Sequence, residues 1–322
     1  MVIRSLNKLL VTYVLVDMLK LLTYNLGLLD VTVMGVVVFS NPEYSRSRLP
    51  YAIDSLSKHD ADVICLQEVY TLEDSMFLIN NLRYLYPYSS RIESKTWLPK
   101  PVQNGLLILS KYPIVNQQLK RFDSASTLEL WVANKSILCV TVEVPNIGKV
   151  SLITTHTTAG GEADPEHPET DDIRLEELRE LKLTADNCPS DEKVIIIGDL
   201  NCGPEIGKEN YDYMLEWTRD TFVEAFDQNK WSSLTAEPFT WDPLNHLNKE
   251  NVHAHCPKQR VDHVMLSKLN SDWDGWTVSS ASIVLSELIV PVVVKDKTGL
   301  KTNEMVTLSD HYGLLVTLDT KL

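Results

Sequence analysis

"VIIIGDLNCGPE", Val194–Glu205, decides how this chain is read. An unbroken aliphatic run from Val194 to Ile197 has the length and branching of a strand buried on both faces. The run stops at Gly198, and Asp199 and Asn201 then follow two positions apart. Side chains at i and i+2 of an extended segment share a face, so both are expected to leave the strand end toward one pocket. Taken alone, Gly-Asp-Leu-Asn is equally an ordinary turn, and the rest of the chain has to decide.

Working outward, similar runs recur at Leu19–Tyr24, Val63–Leu66, Gly105–Ser110, Ile137–Val144, Val150–Thr155, Val261–Ser267 and Gly313–Leu318. Each is strand-length and rich in Val, Ile or Leu. Ser47–Lys58 places Leu49, Ile53 and Leu56 on one helical face. Asp171–Leu183 does the same with Ile173, Leu175, Leu178 and Leu181, and carries acidic residues in its first turn, where the helix dipole favours them. Tyr211–Trp217 begins another helix. Many buried strands with a few long helices predict an α/β fold of two sheets packed face to face, helices outside.

The chain has 322 residues, 44% hydrophobic and 23% charged, with no linker-like tract or internal repeat. That composition predicts one layered domain over residues 18–322, preceded by an extension at 1–17. The opening "MVIRSLNKLLVTYVLVDMLKLL" has an apolar stretch broken by Asp17 and Lys20, and no small-residue cleavage site follows it. It is read as a structural extension, with an export or anchoring segment as the alternative. The net charge of −14 repels polyanions and weighs against a dedicated nucleic-acid binder. The five cysteines form no CxxC pair, and Cys65 and Cys139 lie in apolar runs. Buried thiols in a reducing compartment are expected, hence a cytoplasmic protein peripheral to a membrane, with secretion left open. GxSxG, Walker, GxGxxG and HExxH motifs are all missing, so serine-hydrolase, P-loop, dinucleotide and zincin chemistries have no foothold.

The strand ends carry the chemistry. Asn25 closes the first, Gln67-Glu68 the second, His156 closes "SLITTH", Asp199 and Asn201 close "VIIIGDLN", Asp262 lies in "RVDHVMLS", and Asp310-His311 precedes the last. Oxygen donors with two imidazoles suit a hard cation, Mg²⁺ first and Mn²⁺ second, and proton transfer beside it.

In order and spacing, "LLTYN", "DVICLQEVY", "NGLLILSKYPI", "TTHTTAGG", "VIIIGDLNCGPE", "FTWDPLN", "RVDHVMLS" and "SDHYGLL" resemble the endonuclease/exonuclease/phosphatase superfamily. The resemblance runs from about Lys20 to Leu318 and implies a DNase I-like, four-layer sandwich with Mg²⁺-dependent phosphoester hydrolysis at one end. It makes Glu68 the metal ligand, with Asn25 and Asp310 beside it. His156 and His311 become the catalytic imidazoles, and Asp199 orients or deprotonates the attacking water. Asn201 contacts metal or phosphate oxygens, and Asp262 holds the His311 tautomer. Neighbours on an extended chain point to opposite faces, so Asp310 is poorly placed to orient His311. Lys135 and Asn104 are assigned to substrate binding.

"THTTAGG", "ANKSILCVTVEV" and the spacer "LEWTRDTFVEAF" to "TWDPLN" are most similar to the neutral sphingomyelinase branch. Ser136 departs from its usual glycine, and His263 from a frequent aromatic residue. Asn134-Lys135-Ser136 is a formal glycosylation sequon, discounted on the weak secretion signal. The apolar Leu26–Phe39 stretch follows the first site strand and is read either as a lipid-dipping segment or as a covered loop or core segment. "EADPEHPETDD" is read as a solvated loop, with a further cation site as the alternative. The leading expectation is a phospholipase C-type phosphodiesterase acting on membrane phospholipid, with no protein partner inferred. A nuclease or phosphoinositide phosphatase of the same superfamily, or a lipid-binding scaffold, are the alternatives.

Overall fold

The computed structural model describes residues 16–33, 36–93, 103–124, 134–160, 169–248, 254–269, 273–295 and 301–321. The chain begins with β1 (Val16–Asn25), β2 (Leu29–Val33), β3 (Val36–Asn41), α1 (Ser45–Ser57), β4 (Val63–Gln67) and α2 (Leu72–Leu82). It continues through β5 (Tyr88–Ser90), β6 (Leu107–Ser110), β7 (Ile114–Arg121), β8 (Ser136–Val144), β9 (Gly148–His156), α3 (Thr170–Asp186) and β10 (Lys193–Asp199). Then come α4 (Lys208–Trp217), β11 (Thr218–Asp220), α5 (Thr221–Asp227), β12 (Trp231–Ser233) and β13 (Asp262–Ser267). The described chain closes with β14 (Trp276–Val284), β15 (Val290–Lys295), β16 (Lys301–Val306) and β17 (Gly313–Lys321).

Two sheets dominate. One has seven strands in the order β12-β14-β17-β1-β4-β6-β5, and the other six in the order β11-β13-β10-β9-β8-β7. Strand alternation explains the layers. Ile195 and Ile197 point into the core between the sheets, where they join Leu19, Leu21, Val63, Cys65, Leu152 and Val264. Leu314, Val316 and Leu318 of β17 face the same inter-sheet core. The alternate residues Val194 and Ile196 point outward, against Leu178 and Leu181 of α3 and Met214 and Trp217 of α4. The first sheet does the same, with Leu22, Tyr24, Ile64 and Leu66 facing Leu49, Ala52 and Leu56 of α1 and Leu78 and Leu82 of α2. Helix, sheet, sheet and helix therefore form the expected four layers, and burial on both faces is why the strands read as continuous aliphatic runs.

The first strand starts earlier than expected. Val16 and Asp17, assigned to the extension, pair with Lys321 and Thr320, because β17 runs on far enough to offer them partners. Residues 1–15 lie outside the described residues, as do residues 162–168 of the acidic loop. Leu26–Phe39 is not a plain loop: it enters an antiparallel hairpin, β2–β3, that pairs Leu29 with Asn41. A second hairpin, β15–β16, pairs Val290 with Val306 just before the last strand. Among the described residues, no helix is long and apolar enough to cross a membrane.

Candidate active site

Register brings the strand ends together. On β10, Asp199 lies opposite His156 of β9 on one side and Asp262 of β13 on the other. On the facing sheet, Asn25 of β1 lies opposite Gln67 of β4, which puts Glu68 beside it. Asp199, His156, Asp262 and Asn25 each continue the inward parity of their strands, so they emerge at one end of the inter-sheet core. Beneath them a polar layer joins the sheets: Thr23 donates to Gln67, and Gln67 donates to Thr154, at 3.3 and 3.2 Å.

The Asn25 amide nitrogen donates to Glu68 Oε1 at 3.0 Å and to Asp199 Oδ2 at 2.9 Å. His156 Nε2 stands 3.8 Å from Glu68 Oε1 and 3.7 Å from Asp199 Oδ2. His311 Nε2 stands 3.8 Å from Asp199 Oδ2, while its Nδ1 meets Asp262 Oδ2 at 2.9 Å. Asp262, from another strand, thus orients His311, as the alternation of neighbours requires. Asp310 instead accepts from Ser309 Oγ at 3.0 Å, and its charge acts on Glu68.

Burial, and then the Asp310 charge, push the Glu68 carboxyl up to about 7. Burial also raises Asp199, but the His311 and His156 rings outweigh it and hold Asp199 below its ordinary value. Burial raises Asp262. Burial lowers His311, yet the Asp262 and Asp199 carboxylates overcome it and raise this imidazole well above its usual value. A set of carboxylates this dense, with no lysine or arginine salt bridge to Glu68, Asp199 or Asp310 among the described residues, fits a cation. Glu68, with Asp310 nearby, would hold it. Asp199, Asp262 and His311 also bring one donor atom each within 4.8 Å of one another. The Asp262–His311 hydrogen bond already uses two of those groups, so the Glu68 end is the better seat.

Three expectations change in detail. Asn201 does not continue the strand: β10 ends at Asp199, and Asn201 takes a left-handed φ of 47°. Asp199 Oδ1 accepts its N–H at 2.9 Å, which makes the turn, and its side-chain amide donates to Thr157 O beside His156, also at 2.9 Å. Asn25 uses its amide oxygen to accept from Gly27 N at 3.0 Å, so in this arrangement its nitrogen, and not its oxygen, faces the carboxylates. Asn104 is buried, donating to Ile92 O and accepting from Leu106 N at 2.7 and 3.0 Å, so its amide is engaged by the loop beside Glu68. Lys135 Nζ meets Thr157 O at 2.5 Å, next to the His156 row. Asn134 of the sequon is fully buried.

Sequence reading missed several supports. Thr240 Oγ1 accepts from the backbone N–H groups of Val261 and Asp262 at 3.1 and 3.2 Å and so fixes the start of β13. His263, where an aromatic residue was expected, is buried: Nε2 donates to Cys202 O at 2.8 Å, and Nδ1 faces Arg260 Nη1 at 2.8 Å. It ties β13 to the loop carrying Asn201. Glu68 itself has a left-handed φ of 58°, a conformation that costs a non-glycine residue about 1 kcal/mol. Strain of that kind often collects at working residues.

Carboxylates and imidazoles gathered at one end of a two-sheet sandwich define a site for hydrolysis beside a cation. The chain belongs to the Endonuclease/Exonuclease/phosphatase family, whose model matches residues 22–311. It is similar to sphingomyelinase C of Listeria ivanovii, 24% identical over 307 residues, covering 90% of this chain and 86% of that protein. Against the longer sphingomyelinase C 2 of Leptospira interrogans it is 26% identical over 232 residues, covering 67% of this chain but 34% of that protein. In structure it resembles a beta toxin mutant from Staphylococcus aureus with bound magnesium ions, at a TM-score of 0.73 and 21% identity, covering 93% and 99% of the two chains.

Proposed function

We propose that this chain is a Mg²⁺-dependent phosphodiesterase of the phospholipase C type, acting on sphingomyelin at a membrane surface. The observation that carries the reading is the convergence of His156, Asp199 and His311, with Nε2 of each ring within 3.8 Å of one Asp199 oxygen. The similarity to sphingomyelinase C along 90% of the chain supports the substrate class. When bound, the cation neutralises the phosphate and stabilises the leaving oxygen.

The chain's own groups do the rest. Asp199, held ionised between the two rings, accepts the proton of the attacking water. His311 keeps its proton because Asp262 and Asp199 face it, and gives it from Nε2 to the leaving alcohol oxygen. His156, beside Glu68 and Asp199, donates to the phosphate. Lys135 and Asn201, both against Thr157 O, flank the pocket on the phosphate side.

The two hairpins support a lipid surface. Their roots, through Leu26, Leu28, Val290, Val292 and Val306, share one core cluster, and Phe39, Val293 and Met305 are exposed on them. A net charge of −14 leaves apolar contact, at about 25 cal/mol per Å², as the binding force. The same charge weighs against a nuclease. Free cysteines throughout fit a cytoplasmic, membrane-peripheral protein. The test is a substrate panel with purified protein and Mg²⁺: sphingomyelin, lysophospholipid, phosphoinositide and plasmid DNA. Release of phosphocholine from sphingomyelin above all others is expected. Preferential cleavage of DNA or phosphoinositide would overturn the reading.

A further inference from the structure

Arg48 lies on α1, on the outer side of the first sheet, and is completely buried. A guanidinium carries five N–H groups, and every one here meets a backbone carbonyl. Nε donates to Glu43 O at 2.9 Å. One terminal nitrogen donates to Leu26 O and Leu308 O, at 3.1 and 2.7 Å. The other donates to Gly27 O and to Pro42 O.

Those carbonyls belong to separate segments that meet at the site. Leu26 and Gly27 directly follow Asn25. Leu308 stands two residues before Asp310. Pro42 and Glu43 close the β2–β3 hairpin. The segments are in contact: a Cβ on Gly27, whose φ is +56°, would lie 2.6 Å from Asp310 Oδ1 and 2.9 Å from the Pro42 ring. Asp310, Glu68 and Asp30 supply the opposing charge at longer range, with none of them in the hydrogen-bond set.

We infer that Arg48 is a positioning residue for the phosphodiesterase site: its saturated fork fixes the Asn25 turn, the hairpin root and the Asp310–His311 segment to one another. The inference rests on the proposed function. A lysine keeps the charge but has three donors on one nitrogen, so it cannot hold all of these carbonyls. The spacing of Asn25 and Asp310 from Glu68 should then relax.

The test compares Arg48→Lys with Val142→Ala, a change in the inter-sheet core away from the site. Turnover of sphingomyelin is normalised to folded protein, and Mg²⁺ affinity is measured by calorimetry without substrate. Arg48→Lys should lower kcat about 100-fold at little-changed KM and weaken Mg²⁺ binding about tenfold. Val142→Ala should lower Tm and leave kcat and Mg²⁺ affinity unchanged. Wild-type kcat and Mg²⁺ affinity in folded Arg48→Lys would overturn the inference. Should Arg48→Lys not fold, Gly27→Ala decides, because it presses the same turn onto Asp310: weakened Mg²⁺ binding supports the inference, and unchanged binding overturns it. A wild type inactive on sphingomyelin would overturn the substrate reading instead, and Mg²⁺ affinity would still judge Arg48.

Discussion

Glu68→Gln should make the cation-free protein more stable while removing its activity. Holding the Glu68 carboxyl at about 7 instead of 4.5 costs the ionised fold about 3 kcal/mol. The side chain is 17% exposed and shares its site with Asp199, so about 1–3 kcal/mol is the working figure. The folded carboxyl keeps its proton to higher pH than the unfolded chain does. The penalty is therefore absent below about 4.5, grows as pH rises, and is complete above about 7. Glutamine removes the charge at nearly constant volume. At pH 8 without divalent cations, Glu68→Gln should melt about 2–6 °C above wild type, and the gap should close toward pH 5. Added Mg²⁺ should raise the wild-type Tm and leave the variant unmoved. Thermal melts across pH, with and without Mg²⁺, read all of this. A variant less stable than wild type at pH 8, or one stabilised by Mg²⁺ as strongly as wild type, would refute the reasoning.

Asp262→Asn should lower kcat by about 10²–10⁴-fold, because His311 loses both its orientation and the charge that keeps it protonated. In the proposed mechanism acid catalysis by His311 is present below its raised pKa and lost above it, so a pH–rate profile of this variant should show the alkaline limb moved to lower pH. Gly198→Ala should destabilise the fold by about 2–4 kcal/mol, since its Cβ would lie 2.2 Å from Thr155 O and force β9 from β10; chemical denaturation measures it, and a loss below about 0.5 kcal/mol would show that the strands yield freely. Replacing Val36, Val37 and Val38 with serine should weaken vesicle binding and bilayer hydrolysis while sparing a short-chain, water-soluble analogue. Equal loss on both substrates would make the hairpin a structural element only.

The four layers were legible because strands buried on both faces have no polar alternation to blur them: Val194–Ile197 is the plainest case. The candidate site was legible as a pattern because each strand carried, at or beside one end, a group that an ordinary turn does not need. Asn201 was harder to place, since the spacing of two implies an extended chain, whereas the Asp199 carboxylate closes a local turn on the Asn201 N–H. Strand β7, with Asn116, Gln117 and Gln118, is a polar edge strand and leaves little hydrophobic pattern. Arg48 sits in "SRSRLPYAI" and looks like a solvated helix residue. Its partners are carbonyl oxygens, which carry no side-chain identity, so no motif could announce them.

The most direct test of the central claim is release of phosphocholine from sphingomyelin vesicles by the purified chain as Mg²⁺ is titrated in and then removed with chelator. Saturable, Mg²⁺-dependent release that chelation stops and His311→Ala abolishes is the predicted result. Release that is indifferent to Mg²⁺, or that survives His311→Ala at the wild-type rate, would contradict it.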